Sequence, residues 1–214
     1  GTVSFAAGET SKAVEINALW INTLATISEL TTLTGRDGTR TSKLDATARR
    51  SFERRFVRAD GSLVDVVDGP TGDDRTLRPN QLLAASLPYG PFVERSVVLS
   101  CGALLTSLGL RSLTPDDPSY RSRHRGGPLD RDLAYHQGTV WPWLLGPYVA
   151  AAVRVGIDAT GVLDGIEPHL NEYGLGSISE TADGESPHAA TGCPFQAWSV
   201  AEVFRARRLL QRLS

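Results

Sequence analysis

The 214-residue sequence contains no methionine, only two cysteines and only four histidines. Cys101 and Cys193 lie far apart and have no metal-ligand spacing, so we expect reduced core thiols in a cytoplasmic protein. The histidines show no HxxxH-type spacing, which argues against a zinc site. We therefore expect a protein that uses neither a metal nor another cofactor.

The sequence also lacks a long apolar run and a strong charge of one sign. No run reaches the roughly 18–20 apolar residues of a membrane-spanning helix, and the N-terminus lacks the basic and apolar regions of a signal peptide. The formal net charge is −2, with acids and bases interspersed, so no basic surface is expected for nucleic acid or an anionic membrane. A neutral, polar partner suits this sequence better. The missing initiator methionine is expected if the chain is part of a longer protein.

Apolar periodicity indicates an all-α protein. Apolar residues recur at helical spacing between Gly and Pro stops, and residues 62–68 carry the main strand signal, that of a short hairpin edge. Helices of similar length joined by long loops favour a toroid of helix pairs over a globin-like packing, although periodicity alone leaves that choice open. The predicted helices span residues 14–33, 43–57, 80–87, 91–108, 138–155, 159–172 and 195–212.

The long loops between these helices carry the chemistry. Long loops in a compact domain are usually functional, and these combine tryptophan, amide, carboxylate and arginine side chains. Sugars need this mixture, because their C–H faces stack on aromatic rings while their hydroxyls need planar polar partners. Each side chain also has an alternative, purely structural interpretation. In that interpretation a tryptophan packs in the core, His136 makes a structural hydrogen bond, Arg78 caps a helix, and Glu180 is an exposed surface residue. Composition alone therefore predicts a polar-lined cavity and no particular reaction.

Five segments, taken in order, resemble the C-terminal glucosidase domain of glycogen-debranching enzymes, the amylo-alpha-1,6-glucosidase family. The resemblance covers nearly the whole chain, and no single segment decides it. The segments are VEINALW at 14–20, VDVVDGP with LRPNQ at 64–81, AYHQGTVWPWLLGPY at 134–148, GSISE at 176–180 and GCPFQAWSVAE at 192–202.

The resemblance implies an (α/α)6 barrel, of which residues 1–214 form the C-terminal part of a single catalytic domain. It also implies release of glucose from α-1,6 branch points with inversion, which needs two carboxyl groups about 6.5–9.5 Å apart. Glu180 matches the family's C-terminal catalytic carboxylate, which we assign as the general base. The family's general acid lies in an upstream Trp-Gly-Arg-Asp segment, so this chain alone is expected to be inactive.

The matched motifs also supply the side chains that we expect to bind a glucan or a small glucoside. Two alternatives remain at this stage. One is a related barrel that acts on a small glucoside, and the other is a catalytically silent toroid that only binds carbohydrate. The expected substrate-binding residues are Asn17, Asp68, Arg78, Asn80, Gln81, His136, Gln137, Trp141, Trp143, Gln196 and Trp198.

Overall fold

The computed structural model describes residues 11–212, and this part of the chain is mainly helical. The all-α prediction is confirmed. Pro79–Gln81 and Pro142–Leu144 form 3-10 turns that lead into the third and sixth helices. The α-helices of the described residues are α1 (Val14–Leu33), α2 (Thr39–Phe56), α3 (Leu82–Ser86), α4 (Arg95–Gly102), α5 (Pro128–Tyr135), α6 (Leu145–Arg154), α7 (Ile166–His169) and α8 (Ala197–Gln211).

The helix boundaries agree with the sequence where strong stops flank an apolar repeat. Helix α1 covers the predicted 14–33, and Gly35 follows it in the left-handed conformation, at φ 66°. The predicted helix 138–155 begins too early, because the chain is extended before Pro142 and becomes α-helical only at Leu145. The predicted 91–108 and 159–172 also shorten, to α4 and α7. Helix α5 has no counterpart among the predicted helices.

Short strands connect the loops at the ends of the helices. The strand predicted at 62–68 is confirmed in part as β2, but it is the middle strand of the antiparallel sheet β1–β2–β3 and not an edge, because β1 pairs with its free side. A second antiparallel sheet, β4–β5–β6–β7, was not predicted, because two-residue strands are too short to show alternation. The strands are β1 (Lys12–Ala13), β2 (Val66–Gly69), β3 (Gly72–Asp74), β4 (Leu110–Arg111), β5 (Val140–Trp141), β6 (Thr181–Ala182) and β7 (Ala190–Thr191).

The core is centred on α6. Eight consecutive residues of this helix, 145–152, are buried, and α6 packs against α3, α4 and α8. Helix α1 packs against α2 and α3. A helix that is buried on all sides fixes its neighbours strongly, so α6 sets the relative positions of the loops at its N-terminal end.

Both cysteines are free, and one of them corrects the sequence prediction. Cys101 is a buried core thiol as expected, whereas Cys193 is exposed in the loop before α8. Within residues 11–212, no group of three or more His, Cys, Asp or Glu side chains has the arrangement of a metal site. None of the helices in this range is long and apolar enough to span a membrane.

Candidate active site

A cavity of about 800 Å³ is lined by residues of α1, α3, α6 and α8 and of the loops between them. It brings together residues from all five segments that carry the family resemblance. Glu180 lines it, as do the following expected substrate-binding residues: Asn80, His136, Trp141, Trp143, Gln196 and Trp198.

The second sheet brings the site loops together. Val140 of β5 pairs with Ala182 of β6, and Thr181 of β6 pairs with Thr191 of β7. Because Glu180 directly precedes β6, this register holds it beside the loop that continues from β7 through Cys193. The sheet thus joins segments that are about 40 residues apart in the chain.

The carboxylate of Glu180 is held by a donor on each oxygen. The hydroxyl of Tyr135 donates to Oε1 at 2.5 Å, and the backbone N–H of Cys193 donates to Oε2 at 3.0 Å. The backbone N–H of Glu180 donates in turn to the carbonyl oxygen of Cys193 at 2.8 Å. Burial, together with the neighbouring carboxylate, raises the pKa of Tyr135, so its hydroxyl remains a donor. The carboxylate is half-buried and has a fixed orientation.

Buried polar contacts support the loop behind Glu180. The backbone N–H of Ser179 donates to Nε2 of the fully buried His169 at 3.1 Å. On the other side, the hydroxyl of Thr181 bonds that of Thr191 at 2.8 Å, and His124 Nδ1 lies 3.1 Å from the Thr191 hydroxyl. Burial lowers the pKa of His124, so the neutral imidazole is favoured.

Two other carboxylates follow Glu180 in the same loop, and both form ion pairs outside the cavity. Asp183 is buried, accepts the backbone N–H of His124 at 2.9 Å and pairs with Arg125 at 2.6 Å. Glu185 pairs with Arg123, which lowers the pKa of that carboxyl. Neither residue lines the cavity. Of the three carboxylates in this loop, Glu180 is the one available to a ligand.

Aromatic rings form much of the cavity wall. Trp143, in the 3-10 turn that leads into α6, stacks on Trp198 of α8 with ring centroids 4.2 Å apart and an interplanar angle of 21°. Trp143 is buried, whereas Trp198 is exposed. Tyr135 packs edge-on against Trp141 at 4.6 Å, and the Trp141 indole N–H donates to the Tyr135 carbonyl at 3.2 Å. This wall offers flat apolar faces of the kind that sugar C–H groups pack against.

His136 contributes a neutral imidazole to the cavity. Burial, assisted by the charge of Arg78, lowers the pKa of His136 to about 4. Its Nδ1 atom is buried and has no hydrogen-bond partner among the described residues. The ring also stacks on Trp141, with an interplanar angle of 8°. A neutral imidazole can donate from one nitrogen and accept at the other, as a sugar hydroxyl requires.

Three expected binding residues lie behind the cavity wall. Arg78 is buried and donates to the carbonyl oxygens of Ser112 and His136 and to Oε1 of Gln137. Gln81 is also buried, and its Oε1 accepts the backbone N–H of Leu63 at 3.3 Å. The structure therefore places Arg78, Gln81 and Gln137 outside the cavity lining, where they hold the loops that form it.

Asp65 lies beside Arg78 and orients Asn80. Its Oδ1 accepts a 3.0 Å hydrogen bond from Asn80 Nδ2, and its Oδ2 lies 3.7 Å from Nε of Arg78. Burial raises the pKa of Asp65 to about 7, although the arginine opposes the shift. Asp65 therefore positions a cavity residue without lining the cavity itself.

The last two expected binding residues lie away from the cavity lining. The side-chain amide of Asn17 donates to the carbonyl oxygen of Ala13, which directly precedes α1, at 2.8 Å. Asp68 forms 2.7 Å ion pairs with Lys12 and Arg55, which lower the pKa of its carboxyl. Both contacts are those of residues that stabilise the fold.

The cavity also contains polar residues that the sequence analysis did not select. Tyr135, Glu15, Glu202 and Arg205 line it, and Arg205 pairs with Glu202 at 2.6 Å. Glu15, Tyr135 and Glu202 lie within the resemblance motifs, so motif membership was an available signal for these three. Glu202 and Arg205 lie four and seven residues after Trp198, on the same face of α8.

Comparisons with known proteins identify the family of the chain. The sequence model of the amylo-alpha-1,6-glucosidase family matches residues 6–205. The glycogen debranching enzyme of Saccharomyces cerevisiae is 28% identical over 125 residues, which are 54% of this chain and 8% of that enzyme.

Solved structures establish the fold. The GH63 mannosylglycerate hydrolase of Thermus thermophilus, in complex with Tris, superposes with a TM-score of 0.64 at 16% identity and covers 94% of this chain. An uncharacterized conserved protein of the same organism gives a TM-score of 0.61, also at 16% identity and 94% coverage. The chain spans 45% and 47% of the lengths of these two relatives, and the likeness identifies its fold as that of the (α/α)6 toroid glycosidases. Because its sequence matches over residues 6–205, the chain belongs to the amylo-alpha-1,6-glucosidase family.

Proposed function

We propose that this protein is a glycoside hydrolase that releases glucose from α-1,6 branch points of a glucan, with Glu180 as the general base. The observation that carries the proposal is the Glu180 carboxylate, which lines the cavity and is held by Tyr135 and Cys193. A carboxylate with a fixed orientation can accept a proton from a water molecule that attacks the anomeric carbon. Attack by water on the face opposite the leaving group inverts the configuration at that carbon.

The rest of the cavity fits a glucosyl unit. Trp198, which is stacked on Trp143, offers an exposed aromatic face, while Asn80 and Gln196 offer amide groups that hydrogen-bond to hydroxyls. The neutral imidazole of His136 adds a further donor and acceptor. These aromatic and amide groups suit a neutral, polar ring such as a glucosyl unit.

We also propose that residues 1–214 are the C-terminal part of one catalytic domain. The chain spans less than half of the length of the toroid enzymes that it superposes on. An inverting hydrolase needs a second carboxyl group to protonate the leaving oxygen, and we place that general acid outside this chain. Residues 1–214 alone should then release no glucose. The two free cysteines of the chain support our further proposal that the protein is cytoplasmic.

A related activity on a small glucoside is the second candidate. The similarity to a structure named as a mannosylglycerate hydrolase favours it, because similar helical arrays serve that substrate. The two candidates share the role of Glu180 and differ in what occupies the rest of the cavity. Comparing a branched limit dextrin with small glucosides such as glucosylglycerate separates them.

Replacing Glu180 tests the proposed mechanism in the full-length protein. Glu180→Gln keeps the shape of the side chain but cannot deprotonate water, so glucose release should fall by about 10²–10⁴-fold. Glu185→Gln is the matched control, because Glu185 lies five residues away and is tied to Arg123 outside the cavity. Near-normal turnover by Glu180→Gln would remove the proposed mechanism. The anomer released first, read by proton NMR, tests inversion separately.

A further inference from the structure

Glu15 is a buried carboxylate that has no hydrogen-bond partner within the described part of the chain. It lies in the first turn of α1, its side chain is part of the cavity lining, and the residue is 6% exposed. Neither Oε1 nor Oε2 has a hydrogen-bond partner among residues 11–212. Burial is the largest influence on this carboxyl and raises its pKa, while its own backbone N–H and the charge of Arg78 oppose the shift only in part.

Two nearby side chains with N–H donors, Arg78 and Asn80, make their hydrogen bonds to other groups, and Asp65, which also lies near, is itself a buried carboxyl. Arg78 uses its Nη atoms on Ser112, His136 and Gln137, and it contributes to Glu15 only through its charge. Asn80 directs its Nδ2 to Asp65. A buried carboxylate without donors from other residues is costly, and a ligand that supplies such donors would remove this cost. The described residues therefore leave two acceptor oxygens at the cavity unsatisfied.

We infer that Glu15 is a sugar-binding residue whose carboxylate accepts hydrogen bonds from two neighbouring hydroxyl groups of the bound glucosyl unit. The inference rests on the proposed function, because it takes the occupant of the cavity to be a sugar. Vicinal hydroxyls offer two O–H donors side by side, which match the paired oxygens of a carboxylate. Such a contact distinguishes a sugar with both hydroxyls from one that lacks either.

The surroundings of Glu15 make this contact selective. Ile16 and Leu19, on the same face of the cavity wall formed by α1, are apolar and cannot replace its hydrogen bonds. In contrast, the buried Asp183 accepts a backbone N–H and pairs with Arg125, as a structural carboxylate does. A site built to bond a substrate hydroxyl rejects an analogue that lacks it, because the buried acceptor is then unpaired.

Binding of free glucose to the full-length protein tests this role. Changes in tryptophan fluorescence report occupancy, since Trp143 and Trp198 line the cavity. Glu15→Gln should weaken glucose binding by about 10–100-fold, because hydrogen bonds to a charged group are the stronger ones. The same substitution removes an unpaired buried charge, so the melting temperature should rise by about 2–4 °C. Glu53→Gln, at an exposed site on α2, should change neither quantity.

Deoxyglucoses identify the hydroxyls that contact Glu15. Wild-type protein should bind at least one of 2-, 3-, 4- and 6-deoxyglucose less tightly than glucose. The Glu15→Gln variant should bind that analogue as tightly as it binds glucose, because the contact with the missing hydroxyl is already lost. An unchanged affinity of the variant for glucose would overturn the inference, as would a lowered melting temperature, which indicates a structural role. If Glu15→Gln lowers kcat for glucan hydrolysis but leaves glucose affinity unchanged, the inference is also overturned and Glu15 is assigned to proton transfer. If wild-type protein does not bind glucose at all, the proposed function itself fails.

Discussion

The hydroxyl of Tyr135 donates a 2.5 Å hydrogen bond to Oε1 of Glu180, although the two residues are 45 positions apart. Tyr135 is the last residue of α5, and Glu180 directly precedes β6. The bond thus joins a helix end to the loop that bears the proposed base. The orientation of the Glu180 carboxylate therefore depends on a contact between distant segments of the chain.

Removing this hydroxyl should slow the reaction. Tyr135→Phe leaves the ring in place but deprives Oε1 of its donor, so kcat should fall by about 10–100-fold with little change in KM. Tyr89→Phe is a matched control, because Tyr89 also donates to a glutamate, Glu29, away from the cavity. Equal effects of the two substitutions on kcat would show that Tyr135 does not position Glu180.

A methyl group at Gly192 should displace the carboxylate directly. A Cβ at this position would lie 2.7 Å from Oε2 of Glu180 and 2.8 Å from Oγ1 of Thr181. We expect Gly192→Ala to lower kcat by at least about 10-fold, since a small misplacement of a catalytic group has large effects. The positive φ of 71° adds a conformational cost of about 1–2 kcal/mol.

An alanine at Gly176 distinguishes the backbone strain of the Gly192→Ala variant from its contact with Glu180. Gly176 has nearly the same φ, 74°, but a Cβ there would meet nothing within 4 Å. Gly176→Ala should therefore lower the free energy of unfolding by a similar amount and leave kcat unchanged. If both alanine variants lose activity equally, backbone strain rather than the contact with Glu180 is responsible.

Trp198 should contribute to binding more than to stability. It is 53% exposed and covers the ring of Trp143 on the cavity side of α8. Trp198→Ala should weaken substrate binding by about 10-fold through the lost stacking surface. Trp20→Ala provides the control, since Trp20 is 52% exposed on α1 and does not line the cavity. A change in KM for both variants would contradict a specific role for Trp198.

The buried Asp65 should make stability depend on pH. Its pKa is about 7 in the folded protein against an ordinary value of 3.8, so the native state binds this proton more tightly than the unfolded chain. Its contribution is therefore fully present below about pH 4 and is lost as the pH rises through 7. Denaturant unfolding of wild type and Asp65→Asn between pH 4 and 8 measures this effect. The stability of the wild type relative to the variant should decrease over that interval, and a constant or increasing difference would contradict the assignment.

Local sequence determined the parts of the fold that local forces decide. Helix α1 begins and ends as predicted, because an apolar repeat is followed by Gly35 in the left-handed conformation. Helix α8 lies within one or two residues of its predicted range, 195–212. The motifs also identified the family, which the match over residues 6–205 confirms. These signals need no knowledge of distant contacts.

Only the tertiary structure decided which polar residues face the cavity. The motifs marked Arg78 and Asp68 as readily as Asn80, yet Arg78 lies behind the wall and Asp68 pairs with two cations. In sequence, Glu15 is an ordinary acidic residue of a first helical turn. The structure buries it without a hydrogen-bond partner among the described residues. Burial and pairing depend on segments far away in the chain, and such contacts have no period that a sequence pattern can show.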